Sequence, residues 1–325
     1  MESGQKGVLI VNLFCGYMFG ILLIIYLTFI NGKNLPLSFN MKNIMDQKRN
    51  VLLVTWDFTQ VSENALLHAV KLLHNIDNHI RLVHVVKQGN KTLLKEAGKK
   101  MKREIQRINA HYNISVSSII LEGNLYSAIT NYIKESDVNM VIMGTHGIKG
   151  IQKYTGSRAL RVIVGSSVPF IVVQDKPLSM DRYNDIVFPI DFKSENKEKL
   201  KWAIYLGKYF NSKVHLFKAP VSDSSLLKKV NVNLNFAIRF LIQNNLDYEI
   251  HTAQKSNNFG KEILSFSEEI NADLILITTT KHISIFDYLF GAPEQYIIAN
   301  PSHIPVMCVN PKASFAKMGQ FMFGR

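Results

Sequence analysis

Met143-Gly144-Thr145-His146-Gly147-Ile148-Lys149-Gly150-Ile151-Gln152-Lys153-Tyr154-Thr155-Gly156-Ser157-Arg158-Ala159-Leu160-Arg161 carries the strongest signal in this chain. It follows the apolar run Val138 to Met143, interrupted only by Asn139, which reads as a buried strand. It leads into Ala159-Leu160-Arg161-Val162-Ile163-Val164, which reads as a short helix. A glycine-rich connection of this kind lets backbone approach an anion closely, and the helix start supplies unpaired N–H donors and a favourable dipole. Gly156-Ser157 is then the phosphate seat, with Ser157 as a cap. The plainer alternative is a turn without a ligand, because Gly144-x-x-Gly147 alone is a common turn pattern. A further glycine and hydroxyl at a helix start favour the anion site. The segment has neither P-loop spacing nor the G-x-G-x-x-G of a dinucleotide turn.

Upstream, Asn50 to Thr55 reads as a buried strand, and Trp56-Asp57-Phe58-Thr59 as the turn into a helix capped by Ser62 and running to Leu73. Ile80 to Val86 is a second strand, Lys91 to His111 a long basic helix, Ile114 to Leu121 a third strand and Leu125 to Ser136 a third helix. Downstream of the glycine segment, Phe170 to Val173 is a fifth strand, introduced by Val168-Pro169. Apolar strands alternating with helices predict an α/β fold, a parallel sheet covered by helices.

After the linker Asp175-Lys176-Pro177-Leu178-Ser179 the pattern restarts. Asp185 to Phe192 answers Val51 to Phe58, Leu200 to Phe210 the first helix, Lys213 to Phe217 the second strand and Ala272 to Ile277 the fourth. Ile304 to Val309 answers Val168 to Val173. The interval from the aspartate to the end of the fourth strand is the same in both halves, 144 − 57 = 87 and 278 − 191 = 87, which marks a duplication.

The chain has 325 residues, enough for two domains of ordinary size. With 47% hydrophobic and 19% charged residues it is a folded protein, not a disordered one. A formal charge of +13 raises nucleic acid or an anionic membrane as partners. Lys87, Lys91, Lys95, Lys99, Lys100, Lys102, Arg103 and Arg107 concentrate that charge, but no aromatic residue or groove-entering motif accompanies them, so a solvated helix face is expected and no nucleic acid. Two cysteines, Cys15 and Cys308, exclude a disulfide scaffold and fit a reducing compartment.

Val8 to Ile30 holds 30 − 8 + 1 = 23 residues without a charge, long enough for a transmembrane helix. The basic residues that follow it would keep the rest of the chain in the cytoplasm as a single-pass protein. Translation from Met41 or Met45 would remove this segment and give a cytoplasmic protein. The organisation expected is an N-terminal extension (1–47), a first repeat (48–176), a second repeat (183–310) and a tail (311–325).

Through Val54-Thr55-Trp56-Asp57-Phe58-Thr59, Met143-Gly144-Thr145-His146-Gly147 and Gly156-Ser157, the chain resembles the universal stress protein family in tandem form, over roughly Lys48 to Asn310. The resemblance implies two tandem five-stranded parallel-sheet domains of the Rossmann-like, adenine-nucleotide alpha hydrolase-like type, with the repeats packed as in a dimer and a homodimer as a further option. It implies ATP, or AMP or ADP, as ligand, with Mg as an accompanying ion. Asp57 would sit by adenine or ribose, Val85 or Val86 would touch adenine, and Gly144, Gly147, Gly156 and Ser157 would cradle ribose and phosphates. Thr55 and Met143 complete the candidate site, with His146 placed either to reach phosphate or ribose or to cap a turn, and Arg158 either to pair with phosphate or to stand exposed on the helix. The family's nucleotide-binding form places nine residues between the second glycine and Gly-Ser, whereas this chain has 156 − 147 − 1 = 8.

In the second half Thr278-Thr279-Thr280-Lys281-His282 replaces the glycines, so that repeat is expected to be degenerate, with Asp191 serving a turn. Ten histidines show no ligand pair such as H-E-x-x-H, His84 and His215 read as packed or edge residues, and no metal site is expected. No serine lies in G-x-S-x-G context, so the chain is not expected to be an enzyme beyond slow ATP hydrolysis. Two functional classes remain: an ATP-binding regulator or sensor of the stress response, and an interaction or scaffold protein of the same fold that binds no nucleotide.

Overall fold

Strands that are apolar on both faces need helices above and below them, and the computed structural model shows how this chain supplies them. It describes residues 50–73, 78–145, 162–163, 166–192, 196–254, 259–279, 297–298 and 300–310. The hydrophobic run 8–30, Met41, Met45 and the tail 311–325 lie outside the described residues. No helix among the described residues is long and apolar enough to cross a membrane.

The first half runs β1 (Asn50–Thr55), α1 (Gln60–Leu73), β2 (Asn78–Val86), α2 (Lys91–Tyr112), β3 (Val116–Glu122), α3 (Leu125–Glu135), β4 (Val138–Gly144) and β5 (Phe170–Val173). The second runs β6 (Asp185–Ile190), α4 (Asn196–Phe210), β7 (Lys213–Lys218), α5 (Ser224–Gln243), β8 (Tyr248–Thr252), α6 (Phe259–Glu269), β9 (Leu274–Thr278) and β10 (Val306–Val309). All these strands join one sheet in the order β3-β2-β1-β4-β5-β10-β9-β6-β7-β8. Neighbours are parallel throughout, except that β5 and β10 meet antiparallel.

That antiparallel seam fuses the two halves. Ile171 pairs with Met307, its own counterpart in the second half, so a local twofold runs between them. Alternate residues of each strand feed opposite faces. Leu52, Val54, Ile142, Ile171, Phe188, Leu276 and Met307 pack on one side with α1, α2, α4 and α5. Val51, Leu53, Val141, Met143, Val187, Ile275 and Cys308 pack on the other with α3 and α6. A fully buried side chain of this size contributes about 1.5–3 kcal/mol, so both faces of the seam hold the halves together.

Polar contacts reinforce the junction. His68 of α1 reaches the Tyr183 hydroxyl through Nδ1 (3.1 Å) and the Asp175 carbonyl through Nε2 (3.1 Å). Asn64 donates to the Gln174 carbonyl, and Gln174 donates to that of Asn300. Buried Lys71 lies 3.8 Å from Asp273 Oδ1 and 4.2 Å over the Tyr183 ring. Burial pulls its ammonium below the ordinary lysine range, against the attraction of Asp273.

The start of α1 differs from expectation. The helix begins at Gln60, so Ser62 lies inside its first turn rather than capping it. Thr59 is the residue before the helix, and its carbonyl accepts from the N–H groups of Ser62 and Glu63. Ser62 Oγ reaches back to accept the Thr59 N–H (3.2 Å), the return bond of a capping box. The charged stretch of α2 is a solvated face, with Lys91, Lys95, Lys99, Lys102, Arg103 and Arg107 all exposed.

Candidate functional site

In the first half the chain leaves β1 toward β2 and β3 on one side, while β4 and β5 lie on the other. The C-terminal ends of β1 and β4 therefore flank the point where strand order reverses, which is where open α/β sheets hold ligands. Continuing the register Val54↔Ile142 by two residues brings Trp56 level with Gly144.

Asp57 follows β1 and is exposed. Its Oδ1 accepts both from Thr59 N–H (3.0 Å) and from the Thr59 hydroxyl (2.5 Å), an Asx turn that fixes the carboxylate. Its Oδ2 has no hydrogen-bond partner among the described residues. Phe58 takes a left-handed backbone (φ 66°), unusual for a bulky residue. A brace offsets that strain: the His84 ring lies edge-on to Phe58 at 4.8 Å, and Lys100 Nζ sits 4.0 Å over the Phe58 ring. His84 also bonds the Trp56 carbonyl through Nδ1 at 2.7 Å. The packed role read for His84 thus has a purpose, which is to hold the turn that presents Asp57.

Gly144 ends β4, and Thr145 N–H donates to the Val173 carbonyl at 2.8 Å. A Cβ on Gly144 would stand 2.2 Å from the Val61 carbonyl oxygen, so the first turn of α1 itself demands glycine here. Thr55 ends β1, half-buried, paired with Val83. Val85 and Val86 end β2, the first half-buried and the second buried, and the Val86 carbonyl accepts from Gly123 N–H. The Met143 side chain is buried in the core, so any ligand contact it makes runs through its backbone. His146, Gly147, Gly156, Ser157 and Arg158 lie outside the described residues. The structure therefore brings Thr55, Asp57, Met143, Gly144 and the end of β2 to the carboxyl edge of the sheet.

The matching edge of the second half has different chemistry. Thr278 takes the place of Gly144, and its buried hydroxyl has no partner among the described residues. Asp191 is half-buried, and its carbonyl accepts from the Asn233 side chain at 2.8 Å. Lys199 is buried and donates to the Pro189 carbonyl at 2.5 Å, with Nζ 4.3 Å over the Phe188 ring.

The reading of the sequence missed one cluster. His215, Glu249 and His251 converge on adjacent strands of the second half, with ligand atoms within 4.8 Å of one another. The available signal was Glu249-x-His251, an i, i+2 pair that a strand places on one face.

Two doubly wound α/β units sharing one sheet across an antiparallel seam define the class of this protein. The universal stress protein family model matches residues 48–174. The universal stress protein MJ0531 of Methanocaldococcus jannaschii is 24% identical over 137 residues, covering 38% of this chain and 81% of the relative. A universal stress protein of Archaeoglobus fulgidus is similar in structure over 81% of this chain and 99% of its own, with a TM-score of 0.65 at 18% identity. A putative universal stress protein of Pseudomonas aeruginosa covers 85% of this chain and 99% of its own, with a TM-score of 0.55 at 14% identity. Residues 48–174 are thus similar in sequence to universal stress proteins. The two structural likenesses extend the shared fold across the second half.

Proposed function

We propose that the first half binds an adenine nucleotide at the carboxyl edge of β1 and β4, and that the protein acts as a nucleotide-dependent regulator rather than an enzyme. The observation that supports this most is Asp57: an exposed carboxylate, pinned through one oxygen by Thr59, beside the glycine end of β4 at the reversal of strand order. A carboxylate with a free oxygen suits ribose hydroxyls, and apolar Val85 suits the face of a base. Gly147, Gly156, Ser157 and Arg158 would serve the phosphates, with Mg as a companion of ATP.

The second half is, on this reading, a folded partner without a nucleotide site, because Thr278 puts a side chain where Gly144 leaves backbone. A scaffold that binds no nucleotide is the competing reading, and one observation favours it. Gly144 is already required by its contact with Val61, so its presence does not need a ligand.

Calorimetric titration of the full chain with ATP, with AMP and GTP as controls, separates the two. One saturable ATP site per chain is expected, weakened about tenfold or more by Asp57→Asn, since a hydrogen bond to a charged group contributes roughly 1.5–3 kcal/mol. Asp57→Asn keeps the acceptor that holds Thr59, and Asp191→Asn should leave binding unchanged. No heat and no thermal stabilisation at millimolar ATP would sink the nucleotide reading. Glycine-to-valine changes at 144 are a poor test, because the clash with Val61 would disturb the fold itself.

A further inference from the structure

His215 lies in β7, and the edge strand β8 brings Glu249 opposite it and His251 opposite Phe217. Alternate strand residues share a face, so all three side chains stand on the side covered by α6. There the Phe266 ring lies 4.5 Å from His251 and 6.1 Å from His215. Three atoms form a nearly equilateral triangle: His215 Nδ1 to His251 Nε2 is 3.3 Å, His215 Nδ1 to Glu249 Oε2 is 3.6 Å, and His251 Nε2 to Glu249 Oε2 is 3.5 Å. A tetrahedral zinc ion with bonds of about 2.0–2.2 Å holds its ligand atoms about 3.3–3.5 Å apart.

A second observation concerns the tautomer. His215 Nε2 lies 2.8 Å from Asp185 Oδ1, which can only accept, so the proton sits on Nε2 and the Nδ1 lone pair faces the triangle. A carboxylate behind a ligating imidazole is the arrangement that orients metal-bound histidines. The His215 side chain is only 5% exposed, so the ring has little freedom to turn. Glu249 is oriented as well, because Lys213 holds its Oε1 and leaves Oε2 for the triangle. Two ring nitrogens facing each other at 3.3 Å need a cation or a shared proton between them.

We propose that His215, Glu249 and His251 form a binding site for a divalent transition ion of the zinc type, with Asp185 as the positioning residue and a fourth coordination place left to solvent. The site belongs to the second half alone. In the first half Arg81, Ser117 and Ile119 occupy the matching positions, and Arg81 donates to the Tyr132 hydroxyl (2.6 Å) and to Ser117 Oγ (3.2 Å). Asp185 opens β6, so the triad lies toward the opposite end of the strands from the nucleotide edge. Such an ion would clasp the edge strand β8 to β7 and make the stability of the second half depend on metal.

The test is titration of the chelator-treated full chain with cobalt(II), read by its visible absorption, with zinc(II) as competitor. The expected result is one tetrahedral-type cobalt per chain, displaced by zinc and raising the melting temperature. His251→Gln and Glu249→Gln, both at partly exposed positions, should abolish that absorption without changing circular dichroism. Asp185→Asn should weaken binding about 10–100-fold, as loss of an outer-shell partner does, and His303→Gln should change nothing. The proposal is overturned if the parent chain binds no stoichiometric cobalt, or if the His251→Gln/Glu249→Gln double variant binds with unchanged stoichiometry and spectrum. The second outcome assigns the metal to other histidines. The first leaves a His251–His215 hydrogen bond sharing a proton.

Discussion

At the end of β4 the first half has Gly144, and at the matching end of β9 the second half has Thr278, yet the backbone around them is the same. Thr145 N–H donates to the Val173 carbonyl at 2.8 Å, and Thr279 N–H to that of Val309 at 2.9 Å. One step back, Val141 N–H bonds the Pro169 carbonyl and Ile275 N–H that of Pro305. The hydrogen-bonded skeleton of the strand ends therefore does not depend on ligand chemistry. What differs is carried by side chains: an exposed Asp57 fixed by Thr59 against a half-buried Asp191, and Arg81 with Ser117 against His215 with Glu249. Duplication supplied one scaffold twice, and each copy offers its own chemistry at a different end of its strands.

If the halves are one cooperative unit joined at the seam, the largest effect should come from its centre. Ile171 and Met307 are fully buried and face each other, so Ile171→Lys places an unpaired charge where neither half can solvate it. A loss of about 3–5 kcal/mol is expected, a large part of the stability of an ordinary domain. Urea denaturation followed by tryptophan fluorescence should show Trp56 and Trp202 losing structure together. Two separated transitions would show that the halves are independent and would break the comparison at its root.

A smaller effect sharpens the asymmetry of the junction. Burial pushes the His68 imidazole down to about 4, with the Asp175 carbonyl opposing and Lys71 assisting. The second half has Trp202 at the corresponding place, which does not titrate. Because the folded value lies below the unfolded one of about 6.5, the unfolded chain binds a proton between them that the folded chain does not. Stability is thus fully present above about pH 6.5 and falls as pH drops toward 4, by up to roughly 3 kcal/mol from this residue. His68→Gln should flatten the dependence of urea stability on pH over that window. An unchanged slope would place the acid sensitivity elsewhere.

The strands of the first half were legible because each is an apolar run bounded by turn residues, and the 87-residue interval revealed the duplication. The seam was not legible in the same way. Phe170 to Val173 and Val306 to Val309 show that these strands are buried, but a four-residue apolar run does not name its neighbour. β8, Tyr-Glu-Ile-His-Thr, went unassigned because an edge strand keeps polar residues, and with it went the metal triad, which only strand pairing assembles. At the carboxyl edge, Asp57 and Gly144 stand out in the motif as candidates. The need of Val61 for a glycine at 144 does not, because it is a contact between a helix turn and a strand end that sequence spacing does not express.

The mildest changes test the pair that opened the comparison. Gly144→Ala puts a methyl group 2.2 Å from a backbone oxygen, which cannot rotate away as a side chain would, so α1 or β4 must shift. Overpacking of this kind costs about 1–3 kcal/mol. Thr278→Val replaces a buried hydroxyl with no partner among the described residues by a methyl of similar shape. Removing an unsatisfied polar group should be neutral or stabilise by up to about 1 kcal/mol. Matched urea curves of the two variants should therefore move in opposite directions. If Thr278→Val proves destabilising by a comparable amount, its hydroxyl is held by a partner from the segment that follows β9. The second edge would then be a polar site in its own right rather than a worn copy of the first.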